Sequence, residues 1–434
     1  MINSPWRFLI ANVKRFLLAL GLLLLLGGAV TIFWPRGPRE SIGHTIAFSD
    51  GTMMTLKDVT YGKEHRYPRS PLRDRVISVL PAKLRAKLSS AKGLFNLGKP
   101  SMVFWLERRG NGPTTGDPKL VLCDESGFGT SGGYSMMRMG GPGNWVEGWA
   151  FDYFPRRART FTLRIYEPGQ RYPEAKLIGE FRIENPKPGR HPEWAAPAPP
   201  VTAVEGDISI TLVDLTAGTG RGSNKWKPAP NPTVSMTRAG FRVERSGEVT
   251  KEWHPVTVEA SDATGNLING IWGTGRERSL EYLELQPSLW PGESAWKLHV
   301  GFSQRSNFVA SELWTLRVPV PNAGTTNLAQ TNLQGAVLKY TGQARQSWLK
   351  GDHHFSFRVT PPRPEYRLTL AKAVDDQGRE AKEVGSYESP IEWAFALKTH
   401  ADATNLDLTV ALHRTRYFDF LVRPQIISTN ETAR

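Results

Sequence analysis

The sequence predicts a mainly β chain that follows one N-terminal transmembrane helix, and three observations lead to this fold class. An uncharged apolar run lies near the start, four sequence phrases recur three times in the same order, and 41 Gly with 32 Pro in 434 residues favour short elements joined by turns. With 39% apolar and 22% charged residues, the composition is that of a folded chain of several domains. Cys123 is the single cysteine, so no intramolecular disulfide and no cysteine-built zinc site is expected.

The first element is the apolar run. Phe16 to Trp34 contains nineteen residues without a charge, enough for a helix that spans a bilayer. More basic groups precede the run than follow it, so we expect the tail to stay in the cytoplasm and the bulk of the chain to be exported across a bacterial inner (cytoplasmic) membrane. The alternative is a cleaved signal peptide, which needs a shorter apolar stretch and small residues where Ile32 and Phe33 stand. Residues 1–39 are therefore predicted to be a cytoplasmic tail and an uncleaved signal anchor.

The exported part repeats an apolar strand followed by a strand that ends in an acidic turn. The first strands read SMVFWLER from Ser101, AGFRVER from Ala239 and HFSFRVT from His354. Each second strand ends in Asp, two other residues and Gly, a spacing typical of a type I turn whose carboxylate accepts backbone N–H groups. The Asp and Gly positions are Asp124 with Gly127, Asp262 with Gly265, and Asp375 with Gly378. Calcium binding is the alternative, but it needs six or more oxygen ligands, and no dense acidic loop accompanies these turns.

The third and fourth phrases complete each copy. The third is a strand in which Leu163, Leu298 and Leu408 fall in register, and apolar residues alternate with polar ones around each leucine. The fourth is a short apolar strand that ends at a proline, which removes a ladder donor and stops the sheet. These closing prolines are Pro186, Pro321 and Pro424.

Strands with one apolar face must bury that face, and stacking two antiparallel sheets is the usual solution. We therefore expect three tandem immunoglobulin-like or fibronectin-like β-sandwich modules. They are predicted at residues 40–190, 204–321 and 336–426, joined by a proline-rich linker at 191–203 and a polar linker at 322–335, with a tail at 427–434. The first module carries an insertion at about 63–99, in which Pro81, Leu84, Leu88 and Gly93 predict a short helix.

The phrases DGTMMTLKDVTYG, FPRRARTFTLRIY and LWPGESAWKLHV, the module order and the single anchor resemble a group of uncharacterised bacterial single-pass membrane-anchored proteins with tandem β-sandwich repeats. The resemblance covers nearly the whole exported part. It implies the anchored β-sandwich architecture and no activity, because the group has no assigned function.

Few residues form a recognisable chemical motif. GFGTSG, Gly127 to Gly132, matches a dinucleotide-binding fingerprint, but the glycine-rich chain after it does not continue as the helix that a pyrophosphate site needs. The nine histidines form no HExxH pair, and the adjacent His353 and His354 would point to opposite faces of a strand. We therefore expect no cofactor, no metal and no recognisable catalytic residues.

Basic charge is concentrated in the insertion. From Lys57 to Lys99 there are eleven Lys or Arg against three acids, which is eight of the net fourteen positive charges of the chain. The candidate residues for contact with an anionic lipid or envelope polymer are Arg73, Arg75, Lys83, Arg85 and Lys87. The alternative is a solvated basic helix that packs on the first module through Leu84 and Leu88.

The sequence favours an exported interaction or structural protein of the cell envelope that presents its modules to a protein or glycan partner. Trp145 and Trp149, in the glycine-rich connection after Gly127, are candidate partner contacts, with a core position as the alternative. An envelope hydrolase or carbohydrate-active module is the second hypothesis, and carboxylates clustered in a groove would favour it. A nucleic-acid partner is not expected, because export would separate the protein from its target.

Overall fold

The computed structural model confirms a mainly β chain of several antiparallel sheets. It describes residues 42–67, 94–110, 117–131, 133–141, 143–168, 176–186, 189–220, 227–228, 236–271, 273–320, 329–342, 351, 353–363, 365–388 and 392–426. No helix in this part of the chain is both long and apolar enough to cross a membrane. The predicted anchor, Phe16 to Trp34, lies outside the described residues. The chain divides into two compact units, the first ending at His191 and the second beginning at Pro192.

The described part of unit 1 contains nine strands in two sheets. The strands are β1 (Thr45–Ala47), β2 (Met53–Arg66), β3 (Leu94–Arg109), β4 (Lys119–Cys123), β5 (Gly129–Thr130), β6 (Gly133–Gly141), β7 (Asn144–Phe151), β8 (Thr160–Tyr166) and β9 (Leu177–Glu184). One sheet has the order β1-β2-β3-β7-β6 and the other β5-β4-β8-β9. Their apolar faces pack on each other, and Phe104 of the first sheet meets Phe161 of the second edge to face at 6.3 Å. The alternation predicted for the third phrase therefore buries Phe161, Leu163 and Ile165.

Unit 2 begins with a second pair of sheets. The first ten described strands of unit 2 belong to these two sheets. They are β10 (Val201–Glu205), β11 (Ile208–Gly220), β12 (Lys227–Pro228), β13 (Met236–Arg245), β14 (Glu248–Val249), β15 (Trp253–Asp262), β16 (Leu267–Asn269), β17 (Gly273–Glu277), β18 (Leu280–Leu285) and β19 (Trp296–Gln304). A 3₁₀ turn at Ala310–Glu312 follows.

The remaining strands of unit 2 run to the end of the described chain. They are β20 (Leu313–Pro319), β21 (Gln330–Leu333), β22 (Ala336–Gly342), β23 (His353–Thr360), β24 (Tyr366–Asp375), β25 (Lys382–Glu388), β26 (Glu392–Lys398), β27 (Asn405–Arg414), β28 (Arg416–Val422) and β29 (Gln425–Ile426). The sheet β10-β11-β13-β18-β17 faces β16-β15-β19-β28, and Phe241 packs on Phe302 and Phe420 between them. The sheet β21-β22-β23-β26-β25 faces β20-β27-β24, where Trp314 meets Phe357 at 6.2 Å.

The closing strands of the second and third predicted modules are exchanged. In unit 1, β9 pairs with β8 of its own module, with Phe181 opposite Leu163. In unit 2, β28 instead pairs with β19, with Phe420 opposite Leu298, and β20 pairs with β27, with Leu316 opposite Leu408. This differs from the predicted boundaries 204–321 and 336–426, which kept each closing strand in its own module. The two sandwiches of unit 2 are therefore linked by strands that run from one into the other.

The predicted alignment of the three acidic turns is confirmed. In each turn the Gly N–H donates to the carbonyl of the Asp three residues earlier, and the glycine has a positive φ. In each, the Asp carboxylate also accepts the backbone N–H groups two and four residues on, at 2.8 to 3.0 Å. Asp124, Asp262 and Asp375 therefore close equivalent corners.

Three predicted segments differ from the structure at their ends. The insertion predicted at about 63–99 begins and ends as strand, because β2 extends to Arg66 and β3 starts at Leu94, and its predicted helix from Pro81 lies outside the described residues. The linker predicted at 191–203 ends inside β10, and the linker at 322–335 contains β21. The fingerprint at Gly127 to Gly132 contains the short strand β5, in agreement with the expectation that no helix starts there.

Candidate functional site

The basic residues predicted to contact an anionic surface, Arg73, Arg75, Lys83, Arg85 and Lys87, lie outside the described residues. The structure does describe the hairpin of β2 and β3 from which this segment leaves. Tyr67, directly after β2, packs on Trp105 of β3 with ring centroids 5.5 Å apart. Tyr67 therefore lies on the face of the sheet that is turned away from the core of unit 1.

The tryptophans predicted from the sequence, Trp145 and Trp149, lie on one face of β7 with Glu147 between them. Both indoles donate to this carboxylate, Trp145 Nε1 to Oε1 at 2.6 Å and Trp149 Nε1 to Oε2 at 3.0 Å. Trp149 is 7% exposed and belongs to the core, whereas Trp145 is half-buried. Trp149 thus occupies the core position that the sequence left open, and only Trp145 presents some surface.

An arginine stack surrounds the same carboxylate. The Arg108 guanidinium, 1% exposed, lies over Phe48 at 5.4 Å and over Trp145 at 5.2 Å. Arg138 covers Trp145 at 5.3 Å and pairs with Glu147 at 2.7 Å. Burial lowers the pKa of Arg108, but an arginine stays protonated in proteins, so the fully buried Glu147 faces two cations and two indole donors. The negative charge of Glu147 and the positive charges of Arg108 and Arg138 therefore compensate one another at this end of the sandwich.

An aromatic surface, which the sequence analysis missed, lies on the outer face of the β16-β15-β19-β28 sheet. The Tyr417 ring stacks on the His299 ring with centroids 4.7 Å apart and planes 5° apart. His299 Nδ1 lies 2.9 Å from the Asp419 carboxylate, which orients the imidazole. Tyr417 is 36% exposed, and Leu421, two outward positions further along β28, is 41% exposed. We call Tyr417, His299, Asp419 and Leu421 the aromatic platform.

Gly301 provides the space on the sheet surface that the Tyr417 ring occupies. It lies opposite Tyr417 in the sheet, and a Cβ at this position would be 2.5 Å from Thr257 Cγ2, 2.8 Å from Thr415 Cγ2 and 3.0 Å from Tyr417 Cε1. Only glycine leaves room for these side chains on the surface of the sheet. Burial raises the pKa of Tyr417, so its hydroxyl remains a hydrogen-bond donor and acceptor at neutral pH.

The sequence contained one signal for the platform. Along β28, Phe418, Phe420 and Val422 are buried, so the alternate positions face outward. Tyr417 and Leu421 are large apolar residues at outward positions where a solvated sheet usually has polar ones. Their neighbours on β19 could not be recognised, because that strand belongs to a different sequence phrase.

The described residues offer little for covalent or metal chemistry. Burial raises the pKa of the Cys123 thiol to about 11, so it is a protonated thiol and a poor nucleophile. Among the described His, Cys, Asp and Glu side chains, no group of three or more is placed to hold a metal ion. The platform can instead make non-covalent contacts through its ring faces and the polar groups beside them.

Comparison of the chain with protein-family models and with curated proteins gave no match.

Proposed function

We propose that the protein is an exported interaction protein of the bacterial cell envelope, anchored in the cytoplasmic membrane by Phe16 to Trp34. In this proposal three immunoglobulin-like or fibronectin-like sandwiches form the exported part and present a surface to a protein or glycan partner. The uncharged N-terminal run supports the anchor, and the three aligned turns support three modules of one origin.

The aromatic platform is the single observation that carries this proposal. A soluble sheet face is normally polar, yet Tyr417 and Leu421 are both exposed on the outer face of β28, one on each side of Asp419. The stacked rings offer a flat apolar area, and Asp419 with Lys297 supplies charged groups at its side. Tyrosine contributes a large rigid contact with one polar end, which is why it is enriched in binding surfaces.

The test is site-specific crosslinking in cells that produce the full-length chain. A photoreactive amino acid replaces Leu421 in the platform or, as a matched control, Val249 on β14, which is 50% exposed elsewhere in unit 2. We expect a crosslinked adduct from position 421 that disappears when Tyr417→Ala is added. Digestion of the adduct with a protease or with glycosidases then identifies the partner as protein or glycan. Equal adducts from positions 421 and 249, or none from 421, would contradict the proposal.

The basic insertion is proposed to contact an anionic surface as a second element of this function. Each basic residue close to an anionic membrane contributes about 1 kcal/mol of binding. Reversing the charge of Arg73, Arg75, Lys83, Arg85 and Lys87 should therefore reduce flotation of the exported part with anionic liposomes. Equal flotation before and after the reversal would leave the packed helix as the better interpretation.

The hydrolase alternative would be favoured by carboxylates clustered in a groove, and the described residues include a pair of this kind. Two adjacent carboxylates, Asp124 and Glu125, do line a cavity in unit 1. Both, however, accept backbone N–H groups: Asp124 from Ser126 and Phe128, and Glu125 from Arg159 and Thr160. These carboxylates hold the backbone in place.

A further inference from the structure

The cavity in unit 1 lies on the outer face of the β5-β4-β8-β9 sheet, far along the chain from the aromatic platform. Its volume is about 600 Å³, and three arginines line it: Arg159, Arg164 and Arg182. Arg164 and Arg182 lie at strand positions that alternate with core residues, so their side chains leave the sheet on the solvent side. Three arginine residues thus line one open space, together with Asp124 and Glu125.

The two acids of this cavity, Asp124 and Glu125, form their hydrogen bonds with the backbone, although the charge of Glu125 also attracts Arg159. Glu125 accepts the N–H groups of Arg159 at 2.9 Å and Thr160 at 3.0 Å, and Asp124 closes its turn. Among the described residues, neither Arg159 nor Arg182 forms a salt bridge. Arg164 forms a salt bridge in which its Nε lies 3.4 Å from the Glu180 carboxylate. Arg164 also interacts with Cys123 and Tyr166, so the free donors of the cavity are the guanidinium groups of Arg159 and Arg182, for which no described residue is a hydrogen-bond acceptor.

Other groups of the cavity suit an anion. Thr162 lies directly opposite Arg182 across β8 and β9, so a hydroxyl donor stands beside that guanidinium. Cys123 contributes a protonated thiol and hence no negative charge. Glu125 fixes the backbone of Arg159, which reduces the freedom of that residue at the rim of the cavity.

We propose that this cavity binds a phosphate group carried by an envelope polymer or by a lipid headgroup. A guanidinium donates two parallel hydrogen bonds to one oxyanion, and arginine is the residue that suits phosphate in this way. A carboxylate has two oxygens and can satisfy one such fork, whereas a phosphate has enough oxygens for several arginines and a hydroxyl. The choice of an envelope polymer or lipid headgroup rests on the exported location proposed above, but the site does not depend on the aromatic platform, which lies in unit 2.

The test uses the full-length chain in nanodiscs of zwitterionic lipid. Binding of glycerol phosphate and of a polyglycerol phosphate chain is measured by calorimetry for the parent and for Arg159→Gln/Arg182→Gln. We expect binding that weakens with added salt, and at least about a tenfold loss in the double variant, because each hydrogen bond to a charged group contributes about tenfold or more. A second set of nanodiscs that contain phosphatidylglycerol should compete with the soluble probes if a lipid headgroup is the source.

The matched control is Arg190→Gln, an exposed arginine of unit 1 outside the cavity lining. It should bind both probes like the parent, and near-ultraviolet circular dichroism should show the same fold in all three proteins. Competition by anionic nanodiscs identifies the lipid, and binding of the polymer without such competition identifies the polymer. Equal losses in the double variant and in Arg190→Gln, or no binding of either probe by the parent, would overturn the proposal.

Discussion

At the scale of single residues, the contribution of an ion pair to stability depends on whether the pair is buried or exposed. Glu147 is fully buried but faces Arg108, Arg138 and two indole donors. Glu180 forms its pair with Arg164 at the surface, where water screens the charges. The number of ion pairs therefore says less about stability than the burial of each pair.

Glu147→Gln should lower the free energy of unfolding of unit 1 by about 3 to 5 kcal/mol, because it removes the carboxylate that acts most strongly on the buried Arg108 and leaves only the weaker influence of Asp50 and Asp117. Glu180→Gln, the control at an exposed pair, should change it by less than about 1 kcal/mol. Denaturant unfolding of both variants measures the difference. Similar losses in the two variants would show that Glu147 does not compensate Arg108.

Two histidines of unit 2 should make its stability depend on pH. Burial lowers the pKa of His254 to about 3 and that of His413 to about 4, with Arg305 and Arg367 adding to the effect. Since the unfolded histidines titrate near 6.5, the unfolded state binds protons that the folded state excludes as the pH falls below this value. Each histidine should then reduce the free energy of unfolding by up to about 1.4 kcal/mol per pH unit between pH 6.5 and 5.

Denaturant unfolding at several pH values in this window checks the expectation. For His413→Gln, the free energy of unfolding should change less with pH than it does for the parent. Any loss of packing caused by the substitution should lower this free energy by the same amount at every pH, including pH 7. An unchanged slope would mean that His413 titrates alike in the folded and unfolded states.

At the scale of elements, a strand pair decides the shape of the aromatic platform. Gly301 on β19 and Tyr417 on β28 are direct neighbours across the sheet, and the missing Cβ provides space for the ring. The platform is therefore a property of the pairing of β19 with β28. Neither strand alone would orient Tyr417 against His299.

Gly301→Ala should displace Tyr417 and destabilise unit 2 by about 1 to 3 kcal/mol, because its Cβ meets three side chains at 3.0 Å or less. Gly292→Ala is the matched control, since a Cβ there meets no atom within 4 Å. Thermal unfolding and the near-ultraviolet signal of Tyr417 report the two effects. Parent-like behaviour of Gly301→Ala would mean that the ring is not seated over the glycine.

At the scale of the whole molecule, the exchanged strands make the two sandwiches of unit 2 depend on each other. Strand β27 continues into β28 through the single residue Thr415, although the two strands pair in different sheets. Removing either predicted module would leave a strand of the other without its neighbour, with unpaired backbone groups and an open core.

The fragment 192–426 should therefore unfold in one cooperative transition. The shorter fragments 192–321 and 322–426 should show no cooperative unfolding transition. The physical reason is that β19 loses β28 in the first short fragment and β27 loses β20 in the second. Circular dichroism during heating distinguishes these outcomes. A cooperative transition in either short fragment would show that its sandwich is stable without the exchanged strand.

The sequence by itself determined the mainly β class, the acidic turns and the equivalence of Leu163, Leu298 and Leu408. These features are local, since turns depend on a few neighbouring residues and alternation depends on the pleat of one strand. The alternation of β28 also places Tyr417 at an outward position, a signal that was missed in the sequence.

Only the tertiary structure decided which sheet each closing strand joins and which residues meet there. An alternating apolar strand fits any open sheet edge equally well, so the pattern of β20 or β28 contains no information about its partner. The partner is selected by long-range packing, which places Phe420 on Phe241 and Trp314 on Phe357. The same pairing brought His299 against Tyr417, while β8 and β9 placed Arg182 beside Thr162. The aromatic platform thus depends on a contact between strands that are distant in sequence, whereas Thr162 and Arg182 lie on consecutive strands.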